Sequence, residues 1–470
     1  MGRKEGISGR KNEQGIVIAL VAVVMLFVVG AMAALSIDVV TLYTARSEAQ
    51  LAADAGALAG ARTLANSGMT SNPFPGLIGS AETLAVTVAT QVAANNQVGG
   101  RNLNPAGTWP CTVGQEICVS FNDSSTTFGT NPHVTVQVMR ADLPTFFARI
   151  WGSTQIKVSA SATAEAYNPS TAPGALIRSG PPVAPICVKP WLLPNIDPTQ
   201  TTLTATIFDS TTGAIENADL VGKGWPNAPV TNPNPNGLYA ACGDCSTAIP
   251  TLTTTPSLLP GQYYPGAIDA ADFPAPTQAL PTCSTGFNPY QLAVAGCVQQ
   301  PISCGATANI KIDVNPYVPN NAAGRDADTV QAAECLIHYV SAAGDSDSID
   351  TSAAPSPPFQ FLAGNQNPVA SAIEKDVVVS DSLVTIPVID YPGMPIPPSK
   401  LNPSVTVIGF LQVFLNPQST TTLPLPSPPA PGFNQLPVTI INMAGCGNSA
   451  TGQPILGNGA SPVAVRLISP

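Results

Sequence analysis

Between Ile16 and Ile37 the chain reads IVIALVAVVMLFVVGAMAALSI, a run without one charged side chain. At a helical rise of about 1.5 Å per residue it reaches roughly 33 Å, enough for a bilayer hydrocarbon core of about 30 Å. A single membrane-spanning helix is predicted there, its course marked by Ile16, Val24, Gly30 and Ile37. Arg3, Lys4, Arg10 and Lys11 precede the run, against Glu5 and Glu13, and no further cation follows it until Arg46. That asymmetry predicts a short cytoplasmic N-terminus, with everything after the span exported.

Two fates of the span stay open. Ala31-Met32-Ala33 has the small-residue pattern of a signal-peptidase site, and cleavage after Ala33 would release a soluble exported protein. Without cleavage the span remains as an anchor. Prepilin-type processing, which wants a Gly followed by a Glu at the fifth mature position inside the apolar stretch, is not matched by Gly9 and Glu13 in their polar surroundings.

Beyond Ile37 the pattern continues as DVVTLYTARSEAQLAADAGALAGARTLA, free of Pro and rich in Ala and Leu, so the helix is expected to run on to about Ala65. Ala45, Ala49, Ala53, Ala57 and Ala61 stand four apart, with Ala52, Gly56 and Gly60 beside them. Small residues at this spacing admit another helix closely. Ala49, Ala53, Gly56 and Gly60 are therefore candidate helix-packing positions, serving either a second molecule, including a homo-oligomer, or the chain's own next domain.

Composition narrows the function. Only 10% of the 470 residues are charged, whereas 49 Pro and 39 Gly interrupt a chain that is 44% hydrophobic. The net charge of -10 reflects scarce Lys and Arg, so the clustered cations of a nucleic-acid interface are missing. Ten cysteines with two histidines, His133 and His338, point to disulfides in an oxidising compartment. Cys111 with Cys118 would clip a short loop, and Cys283, Cys297 and Cys304 are close enough in sequence for a local bridge. Cys242 and Cys245, in CGDC, have redox or half-zinc-site spacing but no partner motif, so they too are expected to be a structural disulfide.

The run NEQGIVIALVAVVMLFVVGAMAALSIDVVTLYTARSEAQLAADAGALAGARTLA resembles the N-terminal domain of Tad/Flp pilus-assembly proteins of the TadG type. EQG before the span, Asp38 after it, Leu42-Tyr43, Arg46, Leu51-Ala52-Ala53-Asp54-Ala55 and the closing ALAGAR carry the resemblance. It implies an inner-membrane component of tight-adherence pilus machinery, with pilins or other assembly proteins and the lipid bilayer as partners. Asp38 is read as a marker of the water boundary, and Arg46 and Asp54 as solvated helix charges. The similarity continues loosely through Val134 to Ala166, and LVTIPVID with VTVIGFLQVFL is similar to the C-terminal region of such proteins.

The expected fold is α+β. Residues 1–65 hold the tail, the span and its pilin-like helical extension. Residues 66–168 form a small α+β head, with a helix from Leu77 to Asn95, alternating strands in HVTVQVM and QIKVSASATAEA, and PTFFARIWG as a short helix covering them. In that helix Phe146, Phe147, Ile150 and Trp151 would be core. Residues 169–305 read as a Pro-, Thr- and Asn-rich region of loops, short strands and disulfides. Residues 306–470 read as a mainly antiparallel β domain containing one helix, TVQAAECLIHYV.

Catalytic motifs are missing: no GxSxG, HExxH, Walker A or GxGxxG occurs. IFDSTTG at 207–213 and DSDSID at 345–350 are the nearest strings to a von Willebrand A-type metal loop, and neither fits. No catalytic, cofactor or metal residue is assigned. The expected role is a non-enzymatic assembly factor acting through periplasmic protein contacts; a released surface adhesin and a minor pilin within the filament are the alternatives.

Overall fold

A computed structural model describes residues 10–72, 75–105, 110–121, 131–145, 147–152, 155–170, 183–197, 205–225, 239–240, 262–268, 282–305, 310–312, 325–340, 343–350, 358–367, 376–377, 380–390, 404–417, 436–446, 455–456 and 461–469. Its α-helices are α1 (Arg10–Asn66), α2 (Pro75–Ala94), α3 (Pro289–Ala295) and α4 (Arg325–Leu336). The two main sheets draw on β1 (Ile117–Phe121), β2 (His133–Pro144), β3 (Gln155–Tyr167), β4 (Trp191–Pro194), β5 (Gly224–Trp225), β6 (Tyr239–Ala240), β7 (Gln262–Pro265), β8 (Leu383–Ile389), β9 (Val407–Leu415), β10 (Val438–Gly445) and β11 (Ala464–Ser469).

α1 is one unbroken helix of 57 residues, about 85 Å long. It stops at Ser67-Gly68. The Ser67 hydroxyl donates to the Leu64 carbonyl at 2.7 Å, and Gly68 adopts φ +80°, a left-handed conformation that glycine takes without a Cβ clash. α2 opens on Pro75, where a missing N–H costs nothing. It returns antiparallel along the upper half of α1, so that Gly60 meets Ala89 and Gly56 meets Ala93.

Both helices lie on a four-stranded antiparallel sheet of order β11-β3-β2-β1. Val134, Val136 and Val138 alternate inward from β2, opposite Ala164, Ala162 and Ala160 of β3. Burying every second residue is what the period-2 pattern demands. The edge next to β3 is taken by β11, whose Val465 pairs with Ala166 and Leu467 with Ala164. The last strand of the chain therefore completes the head rather than the C-terminal β domain.

The second sheet has seven strands in the order β5-β10-β9-β8-β4-β7-β6. Its pairs are antiparallel except β8 with β4 and β7 with β6. Among the described residues of 169–305, β4 to β7 flank β8 to β10 in one sheet. β9 is buried at every position. On one side lie α3 and α4 with Tyr290, Val294, Ala332, Leu336 and the stacked pair Phe361 and Phe414 at 5.3 Å. On the other lie Leu192, Tyr264, Ile310 and Phe410. Cover on both faces explains why VIGFLQVFL is a near-continuous apolar run. Phe208 packs over Gly409 and Gly445, where any side chain would strike its ring.

Among the described residues four cysteine pairs sit at disulfide distance: Cys111–Cys118, Cys187–Cys297, Cys283–Cys335 and Cys304–Cys446. The local bridge among Cys283, Cys297 and Cys304 does not occur, because each faces a partner 52 to 142 residues away. Cys304–Cys446 joins the segment after α3 to the end of β10. Cys242 and Cys245 lie outside the described residues.

Candidate functional site

From Gly15 to Ile37 α1 touches little else in the molecule. Ile16 is 68% exposed, Val24 52% and Ile37 49%, and a Cβ added at Gly30 would meet nothing within 4 Å. A bare helix of this composition is long and apolar enough to cross a membrane. α2 passes the same test of length and composition, but its Ala81, Ala85, Ala89 and Ala93 are fully buried against α1 as core.

The bare apolar stretch ends at Asp38, which is buried. Its Oδ2 accepts the backbone N–H of Phe147 at 3.0 Å and of Ala148 at 2.7 Å. These donors open a single 3₁₀ turn, Ala148–Trp151, closed by Gly152 at φ +91°. A carboxylate there occupies the place of an N-cap and satisfies otherwise orphaned donors. Two expectations change. Asp38 is a bonded pin between α1 and the head rather than a bare boundary marker. PTFFARIWG forms a four-residue turn rather than an amphipathic helix, because α1 and α2 already cover the sheet; Phe146 lies outside the described residues.

Further along, the small-residue ladder is consumed inside the chain. Ala49, Ala53, Gly56 and Gly60 are buried, Gly56 under Ala89, Ala93 and Val136. At Gly60 a Cβ would come within 2.9 Å of Val134 Cγ1. Of the two uses the spacing allowed, contact with the chain's own head is the one seen, and this face offers nothing to a second copy.

The top of α1 meets the large sheet through buried polar groups. Asn442 of β10 accepts from the Thr70 hydroxyl at 3.0 Å and from the Ser71 hydroxyl, and donates to the Ala65 carbonyl. Ser71 also bridges to the Met443 backbone in both senses at 2.8 Å. Asn168, at the end of β3, donates to the Met443 carbonyl at 2.9 Å. Gln412 Nε2 reaches Asn66 at 3.4 Å. Helix end, head sheet and large sheet thus share one hydrogen-bonded latch, and groups of this kind hold a fixed orientation because leaving any one unpaired is costly. A signal for it did exist in the sequence. Asn442 and Gln412 are polar residues inside runs buried on both faces, which must find partners.

Elsewhere the polar strings are structural. Asp209 of IFDSTTG accepts from Thr211 N–H, Thr212 N–H and the Thr212 hydroxyl, and these bonds hold its pKa below the usual carboxylate range. In DSDSID the Asp347 carboxylate accepts from Gly364 N–H, Asn367 and Ser380. Among the described residues no group of three His, Cys, Asp or Glu side chains is gathered as a metal site. His338 Nε2 lies 2.9 Å from Asp381, which raises the imidazole pKa, while His133 lies 3.7 Å from Glu165. Lys189 is buried, and its Nζ donates to the Val294 and Gly296 carbonyls at the C-terminal end of α3, both at 2.7 Å. Burial draws this amine down to about 7.

Residues 17–63 match the Tad family model, "Putative Flp pilus-assembly TadE/G-like". The matched stretch lies wholly within α1, from the bare span to the buried ladder, and the head strands and the large sheet lie outside it. No curated protein and no solved structure matches the chain.

Proposed function

We propose that the chain is a single-pass, membrane-anchored component of a Tad/Flp-type pilus-assembly system that works through protein contacts and carries out no catalysis. In this reading α1 crosses the inner membrane with its short N-terminus in the cytoplasm, and the head and the large sheet stand on the periplasmic side. The coincidence of the family match with α1 carries the proposal: one helix is bare and apolar over a bilayer's thickness and then runs straight into a packed head. The latch and the cysteine pairs suit a rigid body held at a set distance from the membrane, presenting its surface to pilin or assembly subunits. The excess of Arg and Lys before the span supports the orientation.

The test is quantitative blotting, with an antibody to the large-sheet domain, of cells divided into sheared filaments, inner membrane and soluble periplasm. Full-length protein in the inner membrane is the expected result. Protein shortened to begin after Ala33 in the periplasm or medium would overturn the anchor, and signal in sheared filaments would make the chain a filament subunit instead.

A further inference from the structure

We infer that the base of the head carries a binding groove for the headgroup of an anionic phospholipid, in the leaflet from which α1 emerges. This rests on the proposal that α1 spans the membrane. The groove, of about 520 Å³, opens between the first turns of α1 beyond the span and the start of β3. Val39, Leu42 and Val158 contribute apolar wall, Tyr43 stands 71% exposed at its edge, and Arg46 and Lys157 bring the charge.

Three observations converge on a lipid. The first is place. Arg46 is nine residues past Ile37, about 13 Å along the helix, and helical side chains lean toward the N-terminus, so its guanidinium reaches back toward the headgroup layer. The second is charge. Arg46 and Lys157 are exposed and make no ion pair among the described residues, and the same is true of Arg149 on the 3₁₀ turn pinned by Asp38. The nearby carboxylates are engaged: Asp38 on the turn, and Asp142 with Arg101 and Arg140. In a chain of net charge -10, unneutralised cations gathered at this one end are complementary to phosphate. The third is continuity. Val39 and Val40, 40% and 63% exposed, extend the apolar surface of the span up to the groove, and Tyr43 has the amphipathic form that settles at membrane interfaces. With its carboxylate capped by backbone N–H groups, Asp38 does not break that surface.

Full-length protein in detergent, equilibrated with phosphatidylglycerol or phosphatidylcholine and examined by native mass spectrometry, tests the inference. Wild type should retain phosphatidylglycerol over phosphatidylcholine by about 30-fold, the gain from two juxtamembrane cations. The double variant Arg46→Gln/Lys157→Gln, changed only at exposed side chains, should lose the preference while keeping the wild-type melting temperature. Equal retention by wild type and variant would overturn the groove. So would displacement of the lipid by millimolar inorganic phosphate, which would mark a free-anion site. Alkaline extraction of membranes separates this from the anchor itself: wild type and variant should both resist it, whereas release of both would defeat the spanning helix and the groove together.

Discussion

The Asp38 carboxylate and the backbone N–H of Ala148, 110 residues apart in the chain, lie 2.7 Å from one another at the point where α1 leaves its bare apolar stretch. The contact fixes the angle between a long helix and the head it carries. A hydrogen bond to a charged group is worth more than a neutral one, and this carboxylate makes two to backbone.

Asp38→Ala should therefore lower the stability of the head by roughly 2–3 kcal/mol, and Asp38→Asn, which keeps one acceptor oxygen, by about half as much. Thermal unfolding of the full-length protein in detergent reads both. An alanine variant that melts with the wild type would leave the pin without an energetic role.

Gly56→Leu tests where the ladder packs. A Cβ at this position already stands 3.1 Å from the Ala89 carbonyl oxygen and from Ala93 Cβ, so a leucine must push α2 away. The expected loss is at least about 1–3 kcal/mol of head stability, with faster proteolysis between α1 and α2. If the variant keeps wild-type protease resistance and loses only piliation, the ladder serves another molecule after all.

The latch predicts coupling between residues 371 apart in the chain. Asn442→Leu takes the acceptor from the Thr70 hydroxyl and the donor from the Ala65 carbonyl, and Ser71→Ala strands the Met443 N–H; each should cost about 1–3 kcal/mol. In the double variant the effects should fall short of additivity by about 0.5–3 kcal/mol. Strict additivity in denaturant melts would mean that the two side chains do not act together.

Cysteine pairing is checked by peptide mapping without reduction, which should recover Cys304 linked to Cys446 and Cys187 linked to Cys297. Replacing both Cys304 and Cys446 by Ser should remove about 2–5 kcal/mol. Recovery of a Cys297–Cys304 peptide would refute this pairing.

Lys189 gives the large-sheet domain a pH dependence of definite sign. Its amine titrates near 7 when folded against 10.5 ordinarily, because burial disfavours the charged form. Between these values the unfolded chain binds a proton that the folded chain lacks, so this group's contribution to stability rises as pH rises from 7 to 10.5 and is level below 7. Melting curves across that range should show the rise, and Lys189→Met should flatten it. An unchanged slope in the variant would assign the pH dependence to other groups.

What could be read from the residues alone was local. The apolar helix from Ile16 to Ile37 and its continuation to about Ala65 follow from an uncharged run, from Ala and Leu propensity and from the lack of Pro, all properties of neighbours within a few turns. The alternation in β2 and β3 likewise announced one buried face apiece. A seven-residue spacing brought Cys111 and Cys118 together.

Everything that depended on partners far along the chain was settled by the tertiary structure. The same four-residue spacing of alanines suits a foreign helix or α2, and only the return of the chain after Asn66 puts Ala89 and Ala93 against Gly56. Asp38 gave no local sign of its bond to Ala148. Nothing near Cys283 distinguishes Cys335 from Cys297, and a strand such as β11 has the same pattern whichever sheet edge it joins. Short-range periodicity determines what a segment must bury; which surface buries it depends on contacts across roughly 50 to 370 residues, and these exist only once the chain has folded.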